Sequence, residues 1–231
     1  MSTQWVPLHV HSQFSILDAL PTVEEIAAKA KEYGFPACAL TDHGNLHGAV
    51  DFVKACKGIK PIIGCELYVA PGPRNLKKKE YGEKAAYHIT LLAKNKTGYN
   101  NLCKLSSIGF LEGFYYFPRI DKELLAKHAE GLICLSGPLQ TLIGEKALSG
   151  DEEALIQEVR WHQELFGEDF YLELMRHPMT DESMRADGMH LESWLQQQYA
   201  DFIARESKVN TALAAVGNKL GIKLVATNDS H

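Results

Sequence analysis

ACALTDHGNLHGAVDFVKACKGIKPIIGCELYV, residues 37–69, reads as strand, helix, strand. ACALTD and KPIIGCELYV are short apolar and β-branched runs. Between them, LHGAVDFVKACK repeats its apolar positions at three- and four-residue spacing, as a helix with one buried face does. Two strands joined through such a helix pair in parallel, with the helix outside. The pattern recurs along the chain. VPLHV, HITLLA, GLICLS, FYLELM and IKLVATN read as further strands, and TVEEIAAKAKEYG, GYNNLCKLSSIGFLE, DEEALIQEVRWHQELFG and WLQQQYADFIARESKVNTALAAVGNKLG as further helices. Seven strands alternating with helices predict an α/β protein with a closed or nearly closed β/α barrel; an open doubly wound sheet is the alternative.

Composition narrows the class. The chain has 231 residues, 45% hydrophobic and 23% charged, enough for one large domain or two small ones. No apolar run approaches the ~18 residues of a membrane span, and MSTQWVPLH lacks the order of a secretory signal, so a cytoplasmic protein without membrane contact is expected. The five cysteines are scattered through apolar runs such as PACAL and GLICL, which suits reduced thiols. A net charge of −5 argues against broad, non-specific adhesion to nucleic acid, since such binding draws on lysine and arginine at phosphates.

The polar residues collect at predicted strand ends, where a β/α barrel builds its site. In LHVHSQFSILD, residues 8–18, His9 and His11 stand two apart and so leave a strand on the same face, with Asp18 seven residues further on. Asp42 and His43 end the second strand, Glu66 lies along the third, and Asp229 and His231 end the last. His88 opens its strand, so either that boundary lies elsewhere or the strand runs differently. Imidazole and carboxylate without thiolate suit zinc, manganese or iron, and the donors outnumber the three or four that one ion takes. Two or three divalent ions are therefore expected, and phosphoester hydrolysis is the chemistry such a centre performs. His177, at the end of FYLELM, is a candidate for touching substrate. Arg119 and Arg176 are candidates for neutralising a phosphate.

Beyond these patterns, LHVHSQFSILDAL, TDHGNLHGAVDFVKACK, IKPIIGCELYVAP, HITLLAKNKTGYNNLCKL, GFLEGFYYFPRIDKELL, GLICLSG, FGEDFYLEL and LGIKLVATNDSH together resemble the polymerase and histidinol phosphatase (PHP) domain that opens bacterial replicative DNA polymerase III alpha subunits. The resemblance covers almost the whole chain in order, and GFLEGFYYFPRID is particular to the polymerase branch. It implies a distorted seven-stranded β/α barrel over residues 1–231, the N-terminal fragment of a much longer chain, with up to nine ligands for a trinuclear metal centre. Carried over, the ligands are His9, His11, Asp18, His43, Glu66, His88, Asp229 and His231. It further implies 3′ to 5′ exonuclease proofreading on single-stranded DNA ends, with the remainder of the polymerase chain and other replisome subunits as partners. Polymerisation would need magnesium in a catalytic domain that these residues do not contain. One position departs from the pattern: Pro138 stands where related subunits commonly carry a ligand cysteine, and proline offers no donor atom. That departure keeps open a catalytically silent, metal-stabilised module that supports the polymerase and binds a proofreading subunit. A metal-dependent amidohydrolase is the third reading, but no lysine is well placed to bridge its metals.

Overall fold

The structure, a computed structural model, describes residues 5–78, 84–137 and 139–231. In chain order its elements are α1 (Val23–Glu32), β1 (Ala37–Leu40), α2 (Ala49–Ala55), β2 (Lys60–Val69), β3 (Tyr87–Ala93), α3 (Lys96–Leu111), β4 (Arg119–Ile120), α4 (Lys122–Lys127), β5 (Leu132–Leu135), α5 (Leu142–Ser149), α6 (Glu152–Phe166), β6 (Phe170–Met175), α7 (Asp181–Ala186), α8 (Ser193–Leu220) and β7 (Lys223–Thr227). Pro138, whose departure from the ligand pattern was noted above, lies outside the described residues.

Local signals set the helix ends. Thr22 caps α1 through a capping box, accepting from Glu25 N while its own N–H donates to Glu25 Oε2 at 2.8 Å. Lys29 and Lys31 in the last turn complement the helix dipole. Val23, Ile26, Ala27 and Ala30 form the buried stripe that the spacing predicts. At the far end of the chain, α8 stops at Gly221 because only a residue tolerant of φ 69° can turn out of the helix there.

The strands form one curled sheet in the order β1-β2-β3-β5-β6-β7, with β4 paired to β2 through Tyr68–Arg119 and Val69–Ile120. All pairings are parallel except those of β3, which runs antiparallel to both β2 and β5. The all-parallel expectation therefore fails at one strand, and the failure explains His88: the first residues of an antiparallel strand lie beside the last residues of its parallel neighbours, and Tyr68 is paired with His88.

A second difference concerns VPLHV, which is no regular strand. Its backbone instead joins the two edges of the sheet. Ala39 N donates to Pro7 O and Thr41 N to Val10 O on one side, while His11 N donates to Ser230 O and Ser230 N to His9 O on the other, at 2.8–3.1 Å. The result is a distorted β/α barrel whose seam is sewn by the segment that carries His9 and His11.

Alternation along the strands separates interior from exterior. Ala39, Leu92 and Leu135 are buried with Ile62, Ile133, Tyr171 and Val225 packed against them, one layer drawn from six strands. The opposite faces carry Leu67, Leu91, Leu172 and their neighbours out to α3, α6 and α8, and Leu40 to α1 and to Phe52 of α2. Each fully buried side chain of this size contributes roughly 1.5–3 kcal/mol.

Arg119 belongs to this framework and not to a substrate site. It is 1% exposed, and its guanidinium donates to the carbonyls of Gly113, Ala85, Arg74 and Leu76 at 3.0–3.1 Å. With four of its five donors committed to backbone, it ties the β2–β3 and α3–β4 connections together. All five cysteines are free thiols, as expected.

Candidate metal centre

At the mouth formed by the ends of β1, β2, β6 and β7 and the start of β3, six of the eight expected ligands gather around a seventh, the carboxylate of Glu66, and the eighth, Asp18, reaches in from the loop before α1. Glu66, 1% exposed, is the hub. Its Oε2 lies 3.1 Å from His9 Nε2, 3.1 Å from His11 Nε2 and 3.2 Å from His43 Nδ1, and its Oε1 lies 2.8 Å from His88 Nδ1. Asp229 Oδ1 faces the same imidazoles, 3.2 Å from both His9 Nε2 and His11 Nε2 and 3.3 Å from His231 Nε2. Asp18 Oδ2 meets His43 Nε2 at 2.7 Å and His231 Nδ1 at 3.3 Å. Asp229 takes φ 43°, a left-handed conformation that aspartate tolerates better than most residues.

Among the described residues, donor atoms within 4.8 Å of one another define two groups that could hold a cation, His9–His11–Glu66–Asp229 and His43–Glu66–His88, with Glu66 common to both. The contacts are close but poorly directed: among the described residues, His11 Nε2, His43 Nδ1 and Asp229 Oδ1 are buried and have no hydrogen-bond partner.

A further layer, of which reading the sequence singled out only Asp42, decides how the rings present themselves. His9 Nδ1 donates to Glu173 Oε1 at 2.9 Å, and Thr227 Oγ1 donates to the same oxygen. His11 Nδ1 donates to Ser15 Oγ at 2.9 Å, and the Ser15 hydroxyl donates to Asp42 Oδ1 at 2.9 Å. Each bond fixes the proton on Nδ1 and leaves the Nε2 lone pair pointing inward. Asp42 also accepts from Ser12 N and Ser12 Oγ, so its buried carboxylate pins the loop that leads to Asp18. It does not join the inner group. Glu173, on FYLELM, was visible only as one of two polar residues in an apolar strand.

The electrostatics record this crowding. Burial disfavours the charged form of His11, yet Asp229 and Glu66 outweigh it and raise its pKa to about 9. At His9 burial is likewise overcome, by Glu173 and Glu66, and its pKa is raised well above the usual value. Burial opposes ionisation of Glu66, but the imidazoles of His9, His11 and His88 hold its carboxyl well below the carboxylate range. His43 goes the other way, its pKa lowered chiefly by burial, with Glu66 pulling against His11 and His88.

The centre opens into a cleft of about 850 Å³, which His177 lines but Arg176 does not. His177 is already occupied, with Nδ1 2.5 Å from Glu206 Oε2 and Nε2 2.8 Å from the carbonyl of Asn228. Arg176 is exposed.

A distorted β/α barrel with imidazoles and carboxylates converging at one mouth defines a class of metal-centred domains. The chain belongs to the PHP domain family, whose model matches residues 7–177. It is 54% identical to the DNA polymerase III subunit alpha of Chlamydia pneumoniae over 229 residues, covering 98% of this chain and 18% of that protein. It is 44% identical over 231 residues to the subunit of the same name from Borreliella burgdorferi, covering 99% of this chain and again 18% of the relative. The chain thus spans about 18% of the length of these relatives. Its fold is shared with a Bifidobacterium adolescentis protein assigned as a metal-dependent phosphoesterase, at TM-score 0.54 and 12% identity, over 99% of this chain and 88% of that one. Among the described residues no helix is long and apolar enough to cross a membrane.

Proposed function

We propose that these 231 residues are one PHP unit of a longer replicative DNA polymerase chain, and that the cleft is a metal-dependent phosphodiesterase that trims single-stranded DNA from the 3′ end. The observation that carries this reading is the set of buried atoms His11 Nε2, His43 Nδ1 and Asp229 Oδ1, which lie in close imidazole–carboxylate contact yet make no hydrogen bond. Each such atom costs ~1–3 kcal/mol when left unsatisfied. A cation satisfies imidazole lone pairs and carboxylates together, so the donor set fits metal. His9, His11, Glu66 and Asp229 would hold one ion and His43, Glu66 and His88 a second, with Asp18 and His231 completing the set. Zinc, manganese or iron suits these donors, and a third ion would be held more weakly without a cysteine at position 138. When bound, such ions supply hydroxide near neutral pH and stabilise charge on phosphoryl oxygens.

The chain's own residues prepare that chemistry. Glu173 and the Ser15–Asp42 pair fix the tautomers of His9 and His11. Glu66 bridges the two groups, and the seam between Val10 and Ser230 holds the first and last ligands in register. The implied partners are a single-stranded 3′ end, the remainder of the polymerase chain and other replisome subunits; magnesium-dependent polymerisation would belong to residues beyond these.

Pro138 favours a second reading, the silent module that supports the polymerase and binds a proofreading subunit. Incubating the manganese-loaded chain with labelled single-stranded DNA separates the two. The phosphodiesterase reading expects nucleotide release that falls at least ~100-fold in Asp229→Asn and rises in Pro138→Cys. Release no greater than in Asp229→Asn, with metal bound, would leave the structural reading.

A further inference from the structure

The cleft is far larger than one phosphoryl group, and its lining is strongly divided. Five carboxylates, Asp18, Glu66, Glu173, Glu206 and Asp229, face it, while Arg205 is the single lysine or arginine among the described lining residues. Arg205 sits on α8 beside Phe202, Glu206, Val209 and Asn210, all of which line the cleft at the three- and four-residue spacing of one helix face.

Like Arg160, Arg176 and Arg185, Arg205 makes no hydrogen bond or ion pair among the described residues, but it alone of these lines the cleft. Arg74 is paired with Glu112 and Asp121, Lys94 with Asp169, Lys122 with Glu158 and Lys219 with Glu152. The carboxylate beside Arg205 in sequence, Glu206, is turned to His177. An unpaired guanidinium at the rim of an acidic cleft is placed to meet an anion delivered by the ligand.

Other parts of the lining are apolar and open. Ile16 and Leu17 are 79% and 102% exposed, and Leu17 is held at φ 67°, a conformation costly for leucine, on the loop that Asp42 pins. Phe110, Phe117 and, beside Arg205, Phe202 are also solvent-facing. Such surfaces suit sugars and the faces of bases, which stack without sequence preference.

Resting on the phosphodiesterase reading, we propose that Arg205 is a positioning residue that grips the phosphate next to the one at the metal centre, so that the cleft selects polynucleotide ends over small phosphodiesters. A guanidinium grips a phosphate through two parallel N–H donors, which an ammonium cannot reproduce.

The test compares the manganese-loaded chain with Arg205→Ala and Arg205→Lys on a ten-nucleotide single strand and on bis(p-nitrophenyl) phosphate. The ratio of kcat/KM for the oligonucleotide to that for the small diester should fall about tenfold in Arg205→Ala, the loss expected of one charge-assisted contact, and partly recover in Arg205→Lys. An unchanged ratio overturns the proposal. A second arm reads binding alone: the slope of log Kd against log salt for a labelled oligonucleotide should shrink by ~0.7 in Arg205→Ala, and an unchanged slope also overturns it. If neither substrate is hydrolysed, the phosphodiesterase reading fails, and the salt slope still decides the role of Arg205.

Discussion

At the residue scale, the cleft depends on which ring nitrogen each histidine turns inward. Glu173 and Ser15 make that choice for His9 and His11, and the inward nitrogens then meet Glu66 and Asp229. Without metal, protons take the place of cations. The raised pKa values of His9 and His11 mean that the folded, metal-free chain binds those protons more tightly than the unfolded chain does. That stabilisation is complete below about pH 6.5 and, for His11, is lost as pH rises through about 9. Metal binding has the opposite dependence, because a ligand imidazole must first lose its proton. The melting temperature of chelator-stripped protein should therefore fall between pH 6.5 and 9, while the gain from added manganese or zinc grows over the same range. A stripped protein whose stability is flat or rising over that interval would contradict this account of His9 and His11.

Among the elements, α3 and β3 together show how the fold delivers its ligands. α3 packs so closely on the turn before β5 that a Cβ at Gly98 would lie 1.8 Å from Gly131 O, a backbone atom fixed by the hydrogen bond from Lys94 N. Gly98→Ala should destabilise the fold by ~1–3 kcal/mol or more, several degrees in melting temperature, despite alanine's better helix propensity. A variant melting within a degree of the parent would show that the turn can give way. The sequence made β1, β2, β6 and β7 legible because each is an apolar run closed by a polar residue at the mouth. It also marked His43, Glu66, Asp229 and His231 by their place at those ends. The direction of β3 was not legible, since a strand's residues do not encode which way its neighbours run; only the awkward position of His88 hinted at it. β4 and the short helices α4, α5 and α7 carry too few residues for a periodic pattern. The burial of Arg119 against carbonyls leaves no trace in sequence, and neither does the place of Arg205 on the face of α8 that lines the cleft.

Across the whole molecule, the residues that close the barrel are also the residues that build the centre. His9 and His11 lie in the seam segment, His43 follows β1, and Asp229 and His231 flank Ser230 on the other side of the seam. Metal bound there would join the first and last segments of the chain, so it should stabilise the fold as well as supply chemistry. On the proposal above, this cluster is a centre for more than one ion. Metal analysis of the chain purified without chelators and equilibrated with manganese or zinc tests it most directly, alongside a His9→Ala, His11→Ala double variant. At least two ions per chain are expected, fewer in the double variant, with a lower melting temperature where metal is lost. Fewer than one ion per chain under metal-replete conditions would contradict it.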